Sequence, residues 1–106
     1  MISTSIDSSK PWITKDHDRT ASMEIRLLKR SLVLPWSHFL YAEGSDGEIR
    51  LTFATHEVVV RGAGLGELLE DLSAQRVSQL QEPVRADRFG TEPGLRITSI
   101  SVRKME

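Results

Sequence analysis

The sequence contains no cysteine, which excludes a disulfide framework, a thiolate metal site and a cysteine nucleophile together. It also lacks any apolar run near the roughly 18 residues needed to span a bilayer. The N-terminal MISTSIDSSK is polar and hydroxyl-rich, with no apolar signal core. These absences lead us to expect no membrane association and a cytoplasmic protein. Charge of one sign is missing too: 14 basic and 15 acidic residues leave a net charge of −1. Nucleic-acid binders draw most of their affinity from neutralising phosphates, so any such contact here would need a local basic patch.

Catalytic patterns are equally scarce. No Gly-x-Ser-x-Gly elbow occurs, and GSDG (Gly44–Gly47) reads as a turn. His17, His38 and His56 share no close spacing, and the Asp16–Asp18 segment DHD reads as a solvated stretch rather than a ligand set. We expect His38, beside an aromatic strand, to be partly buried, and His56 to be exposed at a hairpin tip. Paired carboxylates such as Glu70 and Asp71 fall on the presumed solvent side of a helix, not in a shared cleft. No catalytic residue, metal ligand or cofactor is therefore assigned.

What is present describes one folded domain. With 106 residues, 39% hydrophobic and 27% charged, the chain can bury roughly two-thirds of its unfolded surface around one core without staples. Residues 1–22 form a polar arm with one apolar plug, Trp12 and Ile13 after Pro11. An ordered arm of this kind needs something to lie on, its own domain or a neighbouring subunit, so Trp12 and Ile13 are candidate interaction residues. Residues 23–106 read as a single α+β domain.

Within that domain, EIRLLKRSLVL carries Ile25 and Leu27 on one parity and Leu28, Leu32 and Leu34 on the other. A single strand with a parity break at Leu27–Leu28, ended by Pro35, is preferred over a helix. Residues 37–62 predict a three-stranded antiparallel meander, with Ile49, Leu51 and Phe53 inward and Glu48, Arg50 and Thr52 outward. Leu65, Leu68, Leu69 and Leu72 then mark one face of an amphipathic helix, opposite Glu67, Glu70 and Asp71. RVSQLQE then has no breaker and could continue the helix to Pro83, but Val77 leaves the helical stripe, so a short strand is preferred there over residues 76–82. The final element, LRITSISVRK, switches inward parity at Thr98–Ser99, which suggests a β-bulge. The fold expected is a small, curved, mostly antiparallel sheet, barrel-like in one version, with one helix packed on it.

The stretch VVVRGAGLGELLEDL places Gly62, Gly64 and Gly66 between a strand and the helix. A dinucleotide fingerprint needs glycine where Glu67 stands, and a phosphate loop needs a Gly-Lys-Ser/Thr end that is absent. The glycines are better read as a tight strand-to-helix turn. VVVRGAGL also resembles the second signature motif of the Sm-like (Lsm) RNA-binding proteins, an apolar run followed by Arg-Gly. That resemblance implies a bent five-stranded barrel, ring assembly and an RNA pocket containing Arg61 and Gly62. A helix and further strands follow the motif here, whereas in that family it lies near the C-terminus.

The remaining binding candidate is the loop PVRADRFGTEPG, where Arg85, Arg88 and Phe89 could clamp an anion or a base. The leading functional expectation is an interaction module that self-associates or docks on a partner protein. An Sm-like RNA-binding ring protein and a small-ligand domain are the alternatives.

Overall fold

The computed structural model describes residues 11–14, 20–83 and 96–105. In chain order the strands are β1 (Trp12–Thr14), β2 (Ser22–Arg26), β3 (Ser31–Pro35), β4 (Phe39–Gly44), β5 (Glu48–Phe53), β6 (His56–Ala63), β7 (Val77–Gln81) and β8 (Arg96–Lys104). Helix α1 (Gly66–Ser73) lies between β6 and β7. The protein is α+β and mostly antiparallel, and among the described residues its strands form two four-stranded sheets, not closed into a barrel. The first has the order β1-β7-β2-β3 and the second β4-β5-β6-β8. Among the described residues, only β2 and β7 run parallel.

Both sheets feed one core. From the first come Trp12, Met23, Ile25, Leu34, Val77 and Leu80, all buried. The second adds Ile49, Leu51, Phe53, Val58, Val60 and Ile100, on the inward parity of β5, β6 and β8. Leu65, Leu68 and Leu72 of the helical stripe are fully buried and Leu69 partly so. The chain crosses between sheets at a short 3-10 turn, Trp36–His38. There Trp36 meets Phe39 edge-on at 4.9 Å, and Phe39 meets Phe53 at 5.4 Å. The Trp36 indole N–H donates to the Val77 carbonyl, so the crossing is tied to both sheets.

Two expectations need correction, for the segment 24–34 and for the histidines, and one alternative left open, for the arm, is decided. The segment 24–34 is not one strand: β2 and β3 form an antiparallel hairpin. Its turn has no glycine or proline, and is closed by Leu27 N–H on the Arg30 carbonyl at 2.8 Å and Leu28 N–H on the Glu82 carboxylate at 3.1 Å. The parity break therefore marks a reversal, with Leu28 left exposed at its tip. The Trp12 end of the polar arm is built into the domain, since β1 pairs antiparallel with β7. The histidines are exchanged relative to expectation. His38 is exposed, with its backbone carbonyl accepting from Ala54 N–H, whereas His56 opens β6 half-buried against Thr55 Oγ1.

The three-stranded meander, the helix, the strand at Val77 and the bulge match the sequence reading. Arg61 pairs with Ser99 and Gly62 with Ile97, so Thr98 is the additional residue on β8. That single insertion lets Ile97 and Ile100, three apart, both face the core.

Candidate interaction surface

The glycine stretch is settled by a neighbour from the β4–β5 turn. Gly64 adopts φ +69°, a conformation glycine enters without cost, and turns the chain from β6 into α1. The N-terminus of α1 then meets Asp46: Leu65 N–H donates to its carbonyl at 3.0 Å and Gly66 N–H to its carboxylate at 2.9 Å. A carboxylate on the positive end of a helix occupies the place a phosphate would take. The turn and the glycine loop dock on each other, with Gly62 N–H also bonded to the Gly47 carbonyl.

Gly62 itself answers to close packing. A Cβ there would lie 1.9 Å from the Arg96 carbonyl oxygen and 2.9 Å from Ile97 Cα. The β8 bulge presses its backbone against β6 at that position, and only glycine leaves room. Arg61, the other residue singled out by the Sm-like resemblance, is exposed on the outward parity of β6 and pairs with Glu48 at 3.3 Å. Arg85, Arg88, Phe89 and His17 lie outside the described residues. Trp12, expected as an arm anchor, is 4% exposed, and its indole N–H donates to Asp71 at 2.8 Å. Asp71 thus belongs to a tertiary contact, not to the solvent face assigned to it. Ile13 points the other way and is exposed.

The feature that sequence reasoning passed over is the outer face of the second sheet. Directly opposed residues in an antiparallel sheet share a face. One row across it runs Tyr41, Thr52, Glu57, Arg103, and the next Glu43, Arg50, Val59, Ser101. Five charges form an alternating chain: Arg103–Glu57 at 2.7 Å, Glu57–Arg50 at 3.7 Å, Arg50–Glu48 at 3.5 Å and Glu48–Arg61 at 3.3 Å. Glu57, with a side chain only 15% exposed, holds two arginines at its centre. With Glu43, the face carries three carboxylates and three guanidiniums. No single residue in the sequence advertised this. The signal was the outward parity of β5 and β6, which put Glu48, Arg50, Glu57 and Arg61 on one side.

At the margin of this face lies β4, an edge strand. Leu40 is an additional residue in a bulge between Phe39 and Tyr41, and Leu40 and Tyr41 are 61% and 52% exposed. Two open depressions flank Arg50, one lined by Glu43, Gly44, Glu48 and Arg50, the other by Arg50, Glu57, Val59, Ser101 and Arg103. Neither has the apolar enclosure that buries a small ligand. Among the described residues, no cluster of His, Asp and Glu is arranged to hold a metal, and no helix is long and apolar enough to cross a membrane. In comparisons with known proteins, no family model, no curated protein and no solved structure matches this chain.

Proposed function

We propose that this chain is a protein-interaction module that self-associates through the outer face of its second sheet. The observation that carries this reading is the exposed pair Leu40 and Tyr41 at the margin of a charged face with three carboxylates and three guanidiniums. An exposed aromatic and aliphatic pair beside polar groups is a composition that protein interfaces use. A two-fold interface uses the same patch on both partners, so the patch must complement itself. Equal numbers of opposite charges allow that, whereas a face of one sign would repel its copy. The partner is therefore a second copy of this chain.

The alternatives weighed from sequence draw less support. RNA at Arg61 must displace the Glu48 ion pair, and Gly62 is already required by the approach of β8. A small ligand finds, in the two depressions that flank Arg50, charged and open surfaces.

Light scattering after size exclusion tests the proposal. The wild-type chain should run at twice the mass of one chain. The Leu40→Ser/Tyr41→Glu variant should run as a monomer whose unfolding midpoint no longer rises with concentration and equals that of wild type at high dilution, because both side chains are exposed. A wild-type monomer at every concentration, or a variant that dimerises as well as wild type, would overturn it.

A further inference from the structure

We infer that the side of β7 opposite β2 is a strand-acceptor groove, filled within one chain by Trp12–Thr14 and equally suited to the same segment of a second copy. The groove lies on the first sheet, away from the charged face, and stands independently of it. Its first element is a pocket for one indole. Trp12 lies opposite Leu80, joins the core, and directs its N–H to the Asp71 carboxylate at 2.8 Å. Its second is the edge of β7, which pairs antiparallel with β1 over Trp12, Ile13 and Thr14. Its third is Ser78, whose hydroxyl donates to the Ile13 carbonyl at 3.2 Å.

Three features make the occupant exchangeable. β1 has only three residues, and its register with β7 shifts between Ile13 and Thr14, so one side chain supplies most of the anchorage. It lies at the end of the sheet, so its release leaves the β7-β2-β3 pairings intact. The bonds that hold its residues join them to partners 59 and 65 positions along the chain. The groove therefore recognises a tryptophan-bearing extended segment, whichever copy of the chain supplies it. This is strand addition at a sheet edge combined with a side-chain pocket, and exchange of such a segment is a low-cost route to a dimer. The segment's own chain holds the advantage of tethering, so exchange grows with protein concentration.

The absence of native cysteine permits a direct test in the full chain. Ile13 and Gln79 are opposed across the β1–β7 pair and neither is buried, so Ile13→Cys and Gln79→Cys can form a cross-strand disulfide. The double variant I13C/Q79C should cross-link within one chain, which verifies the register. A mixture of I13C chains and Q79C chains, oxidised together, should give a linked I13C–Q79C pair at twice the mass of one chain. Its yield should rise with concentration and exceed the two like-with-like pairs several-fold. Adding Trp12→Ala to the I13C chain should abolish that excess, while Leu40→Ser/Tyr41→Glu should leave it unchanged, so failure of the second-sheet interface and failure of strand exchange are distinguishable. Statistical proportions of the three linked pairs at every concentration would overturn the inference. So would a double variant that does not cross-link internally.

Discussion

Replacing Gly62 with alanine separates a structural reading of Arg61–Gly62 from a binding one. The added Cβ would stand 1.9 Å from the Arg96 carbonyl oxygen, and an unstrained carbon–oxygen contact is about 3.3 Å. The β6 and β8 backbones must therefore part by about 1.4 Å, and both contacting groups are main chain, which cannot swing aside. Parting disrupts the pairs Gly62–Ile97 and Ala63–Arg96 and loosens Ile97, now 7% exposed. Each lost hydrogen bond costs about 1 kcal/mol net, and forcing a methyl into a packed site costs about 1–3 kcal/mol. With one hydrogen bond lost the sum is about 2–4 kcal/mol, a large share of the roughly 5–15 kcal/mol that holds a domain together. For a chain of this size that lowers the unfolding midpoint by about 8–16 °C. Arg61→Ala is the control: its pair with Glu48 is exposed on both sides, and such pairs contribute at most about 1 kcal/mol. Urea and thermal unfolding of both variants give the answer. A Gly62→Ala chain within about 0.5 kcal/mol of wild type, the range of a neutral surface change, would refute the packing argument.

The helix ends give two predictions of opposite sign. Gln75 stands at φ +55° just beyond α1, with its N–H on the Leu72 carbonyl and the Arg76 N–H on the Asp71 carbonyl. That is the position glycine favours after a helix, so Gln75→Gly should stabilise by about 0.5–1 kcal/mol in urea unfolding. At the other end Asp46→Ala removes the acceptor of Gly66 N–H and should cost about 1 kcal/mol; Asp46→Asn should recover part of it. Trp12→Phe keeps most of the buried ring but deletes the indole N–H donated to Asp71. It should cost about 2 kcal/mol, and tryptophan fluorescence during denaturation would then report Trp36 alone.

Much of the fold was legible because its signals were local. Ile49, Leu51 and Phe53 alternate over a single strand, the leucines from Leu65 to Leu72 repeat at helical spacing, and Ile97 and Ile100 break parity where the bulge falls. The β2–β3 reversal was not legible, since LLKR has no turn residue and its closure borrows Glu82 from the far end of β7. Division into two sheets was hidden for a similar reason. The parallel pairing of β2 with β7 joins Glu24 to Gln79 across about half of the chain, and nothing local encodes it. That Trp12 sits on a strand was not legible, because three residues are too few for periodicity to show one. Asp46 was read only as a turn residue; its second role is a contact twenty residues away. The charged outer face was present in the alternation of β5 and β6, but it became a surface only when registers placed Glu57 between Arg50 and Arg103.

The most direct test of self-association through the second sheet is a dilution series of amide spectra on the labelled full chain. Shifts with concentration should cluster at Leu40, Tyr41, Glu43, Arg50 and Val59, the residues on β4 and the outward parity of β5 and β6. The same positions should stop responding in the Leu40→Ser/Tyr41→Glu variant. Spectra that do not change with concentration, or changes confined to the first sheet, would contradict the proposed interface.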